Sequence, residues 1–251
     1  MSRALLELHE VLFSQGFGTR RVCWGLVQQG LVQLGEDRQP CEDPAQAVDT
    51  AGLVFWVQGE RWTYHAQAYL MLHKPAGFEC SHKPGAHPSI YTLLPAPLRQ
   101  RGGSAAAGVQ AVGRLDQDTT GLLLLSDDGK FIHRMTSPRH HVPKVYEAGL
   151  KHPVTDSLLG KLLEGVVLDD DPKEVKASSC RRLDSHLLEL VLTEGKYHQV
   201  KRMVAAAGNR VETLHRSAIG ALELPASLAP GQWRWLTPEE VAALSAKQPG
   251  G

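Results

Sequence analysis

The first sixty residues carry apolar positions at spacings that predict two helices and then short strands. Apolar residues recur at helical spacing over 5–12 and stop at Gly16, and Thr19 is placed to cap a second helix that runs to Gly30. Later apolar runs are short and bounded by turn residues, which is typical of strands. Two such strands are predicted, at 31–34 and 54–57.

The pattern changes after a polar stretch, and from residue 68 to about 244 short β-type runs outnumber helical ones. The clearest runs are a strand at Leu187–Leu192 and a helix at 199–207. The fold class predicted is α+β, with a small N-terminal α+β domain and a larger domain on a mainly antiparallel sheet. The expected bounds are 1–60 for the small domain, 61–67 for a linker, 68–244 for the large domain and 245–251 for a disordered tail.

Composition narrows the class of protein without naming a partner. The 251 residues include 27 basic and 27 acidic ones, 42% hydrophobic and 22% charged residues, as in ordinary globular proteins. The balanced charge leaves nucleic-acid binding to local basic clusters. Four cysteines form no Cys-x-x-Cys pair, and the N-terminus lacks the pattern of a signal peptide. No apolar window approaches a membrane span, so a cytoplasmic location without a membrane partner is expected.

One glycine-bounded loop carries the candidate chemistry. Between Gly113 and Gly121 it holds Arg114 and Asp116, and a run of four leucines follows before an Asp-Asp-Gly turn. The run predicts a buried strand that presents the loop in a cleft. The segment 98–110 just before it, rich in glycine, alanine and arginine, is predicted to be a mobile surface insertion.

Three blocks together resemble a known family. The Gly-Arg-Leu-Asp loop, the Lys-Val-Tyr segment 144–146 and the segment 194–203 are similar to the motifs of pseudouridine synthases. The match is to the branch that modifies ribosomal RNA and carries an N-terminal S4 domain. The Ser-Pro-Arg-His-His stretch at 137–141 is most similar to the enzymes for small-subunit (16S) rRNA. Residues 1–60 resemble a divergent S4 RNA-binding domain, with Thr19 where the family usually has serine.

The resemblance implies that a uridine is isomerised by glycosidic bond cleavage, base rotation and joining of C5 to C1′. Asp116 is then the catalytic carboxylate, as nucleophile or as base, and Asp118 a structural neighbour. Lys201 would pair with Asp116, because a cation stabilises a charged carboxylate. Tyr146 would be the active-site tyrosine that stacks on uracil, and Arg114 would fill the gap left by the flipped base.

Further basic residues are candidates for RNA contacts, and the structural alternative for each is a solvated surface. They are Arg20, Arg21, Lys74, Arg139, His140, His141, Lys144, Lys196 and Arg202. Neither a metal site nor a cofactor is expected, since the histidines near residue 140 lack cysteine or acidic partners. The expected partner is ribosomal RNA, free or in an assembling particle, and the protein is expected to be a monomer.

Other functions remain open at this stage. One is modification of large-subunit rRNA, and another is a non-catalytic assembly factor that binds rRNA and keeps the fold as a scaffold. A nucleosidase or glycosidase is disfavoured, because no second carboxylate motif is present to activate water. The combination of Asp116, Tyr146 and Lys201 argues for an active enzyme.

Overall fold

The computed structural model describes residues 5–101, 108–169 and 171–246, and the chain divides into two compact units. The first unit comprises Met1–Ala68, Leu94–Gln110 and Ser126–Asp128. The second comprises Tyr69–Leu93, Ala111–Leu125 and Gly129–Gly251. The first unit therefore includes two later segments of the chain in addition to the N-terminal residues.

Helices and short antiparallel strands build the first unit around one apolar core. Strand β1 pairs with β4, and β3, β2, β5 and β6 form a separate antiparallel sheet. Buried Leu8, Leu12, Val27 and Phe55 belong to the core between the helices and this sheet. The elements are β1 (Leu5–Glu7), α1 (Leu8–Gln15), α2 (Arg20–Gln28), β2 (Val32–Leu34), β3 (Gln39–Pro40), β4 (Ala47–Asp49), β5 (Val54–Val57), β6 (Glu60–Thr63) and α3 (Ala96–Gln100).

The ends of α1 and α2 follow from two residues of the sequence. Gly16 closes α1 in the left-handed conformation with φ of 90°, and a Cβ there would lie 2.1 Å from the Pro97 carbonyl oxygen. A glycine is therefore needed both for the backbone and for the close approach of the chain next to α3. The Thr19 hydroxyl accepts a hydrogen bond from the Val22 amide, which confirms the predicted cap of α2.

A buried arginine ties the later segments of the first unit to its N-terminal part. Arg101 is 2% exposed, and its guanidinium donates to Asp127 Oδ2 at 2.7 Å, Gln15 Oε1 at 2.8 Å and the His65 carbonyl at 2.7 Å. Asp127 also accepts from the Ala68 amide at 2.6 Å. The charged group thus has partners on three separated segments of the chain, as a buried charge requires.

Strands dominate the second unit, and helices pack against them. Nine of the strands that the structure describes form one sheet, with the order β13-β14-β10-β15-β9-β7-β17 and with β16 on β15 and β8 on β9. The elements are β7 (Tyr69–Lys74), β8 (Gln110–Val112), β9 (Thr120–Ser126), α4 (Gly129–Thr136), β10 (Lys144–Leu150), α5 (Asp156–Glu164), β11 (Val166–Leu168), β12 (Asp171–Val175), β13 (Ser179–Asp184), β14 (Leu187–Leu192), α6 (Gln199–Ala206), β15 (Val211–Ile219), β16 (Leu222–Glu223), β17 (Trp233–Trp235) and α7 (Pro238–Ser245).

The sheet is mostly antiparallel, and the exception lies beside the glycine-bounded loop. β9 and β15 run parallel with Arg216 opposite Gly121, whereas β10 pairs antiparallel with both β14 and β15. Gly121 has φ of 107°, and a Cβ there would lie 2.3 Å from the Arg216 carbonyl oxygen. The leucines of β9 are buried, which confirms the predicted core strand and the α+β class with a mainly antiparallel sheet.

Three segments differ from the sequence-based expectation or lie partly outside the described residues. The chain is a short strand at Leu5–Glu7 where a helix was predicted, because these residues pair with β4. The prediction of a mobile surface insertion at 98–110 is wrong at both ends, since Leu98 and Val109 are buried, while 102–107 lie outside the described residues. Residues 247–251 of the expected disordered tail also lie outside them, and Ser245 ends helix α7.

Candidate active site

The glycine-bounded loop connects β8 to β9 and presents Asp116 at partial exposure. Gly113 begins the loop with φ of 74°, and the Thr119 amide donates to the Asp116 carbonyl at 3.2 Å, which closes a turn. The Gly77 amide donates to the Gln117 carbonyl at 2.7 Å and holds the same turn from outside. The backbone around Asp116 is thus fixed by hydrogen bonds on both sides.

Lys74 supports this loop through hydrogen bonds to its backbone carbonyls. It is 0% exposed, and its Nζ donates to the carbonyls of Gln117 at 3.1 Å, Thr119 at 2.8 Å and Pro75 at 3.1 Å. The expectation that Lys74 contacts the RNA backbone is therefore wrong in this structure, because all three donors of the ammonium group are used inside the protein. Burial lowers the pKa of Lys74 below its ordinary value.

Lys201, on α6, faces the loop and bridges its two carboxylates. Its Nζ donates to Asp118 Oδ1 at 2.7 Å and Oδ2 at 2.9 Å, and it lies 3.4 Å from Asp116 Oδ2. Burial acts to lower the pKa of Lys201, but the hydrogen bond to Asp118 and the charge of Asp116 outweigh it and raise the pKa. The hydrogen bond from Lys201 lowers the pKa of Asp118. One lysine thus holds the carboxylates of Asp116 and Asp118 close to each other.

His198 is a member of this cluster that the sequence reasoning gave no role. Its Nε2 lies 3.2 Å from Asp116 Oδ1, so Asp116 is held between His198 and Lys201. His198 is the N-cap of α6 in the left-handed conformation, with φ of 50°. The signal was present in the sequence, because residues three apart at the start of a helix share a face.

A second buried cation holds the beginning of the loop. Arg216, on β15, is 2% exposed and donates from Nε to the Leu122 carbonyl at 2.8 Å and from Nη2 to the Gly113 carbonyl at 2.9 Å. Its guanidinium carbon lies 6.0 Å from the ring centroid of Tyr146, which is opposite it on β10. Tyr146 is half-buried against the core of the second unit, and Arg216 contributes both to its position and to that of the loop.

Lys144 shares a strand face with Tyr146, because the two are two residues apart on β10. It is 7% exposed, and burial together with the nearby Arg216 lowers its pKa to about 8. Little of the Lys144 side chain is therefore left for a backbone RNA contact. No sequence signal separates such a lysine from a solvated one, because burial depends on the neighbouring strands.

Replacement of Lys144 by methionine is expected to stabilise the protein by about 1–3 kcal/mol at pH 7. A lysine whose folded-state pKa is lowered to about 8 destabilises the fold below pH 8, and this penalty fades as the pH approaches the unfolded-state value of 10.5. The gain should therefore shrink above pH 8 in urea unfolding. Lys161→Met, at an exposed position on α5, is the matched control, and a stabilisation that does not depend on pH would contradict the assignment.

The remaining basic candidates of the second unit lie at or near its surface. Arg114 is exposed next to Asp116, and a short 3₁₀ helix at Pro138–His140 presents the exposed residues of the Ser-Pro-Arg-His-His stretch. The basic residues of this stretch, Arg139, His140 and His141, are all exposed. Lys196 and Arg202 are half-buried on either side of His198, and Arg202 Nη1 donates to the Tyr197 carbonyl at 3.1 Å.

In the first unit, the two arginines that begin α2 have different surroundings. Arg20 donates to Glu10 at 3.3 Å, and its guanidinium lies 4.5 Å from the Phe13 ring centroid. Both arginines are exposed, and both line an open cavity of about 440 Å³ together with His9 and Trp24. Both therefore stay candidates for an RNA contact, and Arg20 is the one that also contacts Glu10.

The described part of the chain holds neither a metal-binding cluster nor a membrane-spanning helix. Within 5–101, 108–169 and 171–246, no group of three His, Cys, Asp or Glu side chains is arranged to hold a metal ion. In the same ranges, no helix has the length and apolar character that a bilayer crossing requires.

The chain is similar to RNA pseudouridylate synthases both in sequence and in structure. The model of the RNA pseudouridylate synthase family matches residues 68–206, which include Asp116, Tyr146, His198 and Lys201. A solved structure described as a pseudouridylate synthase superposes with a TM-score of 0.66 at 34% sequence identity, covering 95% of this chain and 99% of the other.

Two curated relatives bear the name ribosomal small subunit pseudouridine synthase A. One, from Pasteurella multocida, is 44% identical over 75% of this chain and 79% of its own. The other, from Vibrio vulnificus, is 40% identical over 89% of this chain and 92% of its own. Because the family model spans more than half of the 251 residues and these relatives align over most of the chain, the protein belongs to the RNA pseudouridylate synthase family of isomerases.

Proposed function

We propose that the protein converts one uridine of small-subunit (16S) ribosomal RNA to pseudouridine, and that it does so in the cytoplasm. The observation that carries the proposal is the arrangement of Asp116 between His198 Nε2 and Lys201 Nζ, at 3.2 and 3.4 Å, on a loop anchored by two buried cations. The names of the Pasteurella and Vibrio relatives support the small-subunit RNA as substrate.

The reaction breaks the bond between N1 and C1′, turns the freed uracil within the site and joins C5 to C1′ of the same ribose. The C5 proton leaves and N1 gains a proton, so nothing is added overall. An ionised Asp116 can attack C1′ or remove a proton from the ribose, and both routes need the negative charge. His198 and Lys201 supply positive charge or hydrogen-bond donors at the two carboxylate oxygens, one to each.

Tyr146 and Arg114 have separate roles in this proposal. Tyr146, half-buried beside Arg216, stacks on the uracil. Tyrosine is one of the side chains that act in proton transfer, so its hydroxyl can take the C5 proton. Arg114 is exposed at the loop, where its planar guanidinium can fill the gap left by the flipped nucleotide. A non-catalytic assembly factor would not need this combination of groups around Asp116.

In this proposal, exposed basic residues of each unit contact the RNA. Arg139, His140 and His141 are exposed on the segment before β10, and Arg21 is exposed on α2. These groups suit contacts to phosphates, so binding should weaken as salt rises even though the chain has equal numbers of basic and acidic residues. Lys74 acts inside the protein in this account and not as an RNA contact, and Lys144 is nearly buried.

The test is the selectivity of the purified protein between the two ribosomal RNAs. Unmodified small-subunit rRNA, naked or in a partly assembled particle, and unmodified large-subunit rRNA are incubated with the protein and mapped for pseudouridine. We expect one modified position in the small-subunit RNA and none in the other. Modification confined to large-subunit RNA would overturn the substrate, and no modification of either by folded protein would favour an assembly factor.

A further inference from the structure

Tyr197 lies beside the site, directly before His198 in the chain. Its side chain is 72% exposed, more than any other large apolar side chain of the described residues. Exposure of a whole aromatic ring leaves apolar area in water that burial would remove. A large exposed ring next to a catalytic group therefore indicates a binding surface.

The Tyr197 ring is one layer away from the catalytic carboxylate. It stacks on the His198 imidazole with ring centroids 3.8 Å apart and an angle of 21° between the planes. The inner ring, His198, is the one whose Nε2 lies 3.2 Å from Asp116 Oδ1. One face of Tyr197 is thus covered by His198, and its high exposure leaves the outer face to solvent.

The turn that carries the two rings is fixed by hydrogen bonds. Buried Gln199 accepts from the Lys196 amide at 2.7 Å and donates to Glu194 at 2.7 Å. Arg202 Nη1 donates to the Tyr197 carbonyl at 3.1 Å. Because the backbone on both sides of the rings is held in this way, a ligand that stacks on Tyr197 does not have to order the turn first.

The chemistry around the rings indicates what the ligand is. Lys196, Lys201 and Arg202 place three basic residues within seven positions of the chain around the ring pair. Flat aromatic faces beside basic groups are how proteins bind unpaired nucleotides, with the base on the ring and the phosphates near the cations. The unpaired nucleotides beside a flipped uridine offer further base faces, outside the gap that Arg114 fills.

We propose that the outer face of Tyr197 stacks on the base of an unpaired nucleotide next to the target uridine, with His198 as the spacer that sets this base relative to Asp116. The inference rests on the proposed RNA-modifying function, but it is independent of which ribosomal RNA is the substrate. Tyr197 is then a specificity-determining residue, and it does not touch the reacting atoms.

The experiment crosses a change in the protein with a change in the RNA. Wild type and Tyr197→Ala are assayed on the rRNA fragment that the wild type modifies, with each nucleotide beside the target intact or replaced by an abasic unit. Tyr197→Ala is expected to raise KM by roughly 5- to 100-fold with a smaller change in kcat. One abasic substitution should cause a similar loss in wild type and little further loss in Tyr197→Ala.

Conservative variants separate stacking from folding. Tyr197→Phe keeps the ring and should restore the KM, whereas Tyr197→Leu keeps apolar bulk without a ring and should not. Leu163→Ala, at an exposed apolar position on α5, is the matched control and should leave KM and thermal unfolding unchanged. Losses that add fully at every neighbouring nucleotide, or a Tyr197→Ala enzyme with normal KM, would overturn the proposal. A wild-type protein that modifies neither rRNA would instead refute the underlying function.

Discussion

Replacement of Asp116 by asparagine is expected to reduce pseudouridine formation by roughly four orders of magnitude while RNA binding changes little. The amide has nearly the same shape as the carboxylate but lacks the charge that either route of attack requires. Asparagine can still contact His198 and Lys201, which lie 3.2 and 3.4 Å from the two oxygens, so the loop should keep its position. The measurement is single-turnover conversion of rRNA with enzyme in excess.

Asp118→Asn is the matched control, since it removes the neighbouring carboxylate from the same loop. Lys201 donates to Asp118 at 2.7 Å, but loss of that charge leaves Lys201 beside Asp116, so activity should fall by less than about tenfold. An Asp116→Asn enzyme with more than a few per cent of normal turnover, as a rough threshold, would refute Asp116 as the catalytic carboxylate. So would a larger loss for Asp118→Asn than for Asp116→Asn.

Replacement of Arg101 by alanine should destabilise the protein by about 3–5 kcal/mol, because it leaves buried partners unpaired. Asp127, Gln15 and the His65 carbonyl each lose a hydrogen bond of 2.7 to 2.8 Å. The free energy of unfolding of the first unit, followed by urea denaturation, is the quantity to measure.

Arg99→Ala is the matched control for this change. Arg99 is exposed on α3, two residues before Arg101, and its loss should cost less than about 0.5 kcal/mol. Equal stability of Arg101→Ala and Arg99→Ala would show that the buried network contributes nothing.

The domain bounds of 1–60 and 68–244 remain a prediction. A truncated protein that begins at residue 66 lacks Gln15 and His65, which are partners of Arg101, and it should be destabilised in the segments around Arg101.

The sequence predicted those parts of the fold that depend on local pattern. The α2 cap by Thr19, the buried β9 leucines and the strand at Leu187–Leu192 all follow from periodicity and turn residues. The strand at Leu5–Glu7 was missed because its pairing partner lies about forty residues away. The burial of Leu98 and Arg101 was missed for the same reason, since glycine and alanine around them suggested only a loop.

The site residues that belong to sequence motifs could be predicted. Those whose burial depends on tertiary packing could not. Asp116 and Lys201 were identified from motifs and lie together, at 3.4 Å. Lys74 and Lys144 were predicted as RNA contacts and are buried, because the neighbouring strands decide whether a lysine in a strand is covered. Arg216 has no local signal either, since its role arises from the parallel pairing of β9 with β15.

The most direct test of the account is to follow the C5 hydrogen of uridine. Small-subunit rRNA that carries tritium at C5 of its uridines is incubated with the protein, and released tritium and free uracil are both measured. Isomerisation replaces the C5 hydrogen with the bond to C1′, so the account predicts release of tritium from one uridine per RNA, no free uracil, and no release with Asp116→Asn. Free uracil with retained tritium would identify a hydrolase, and no release from folded wild-type protein on either rRNA would contradict the account.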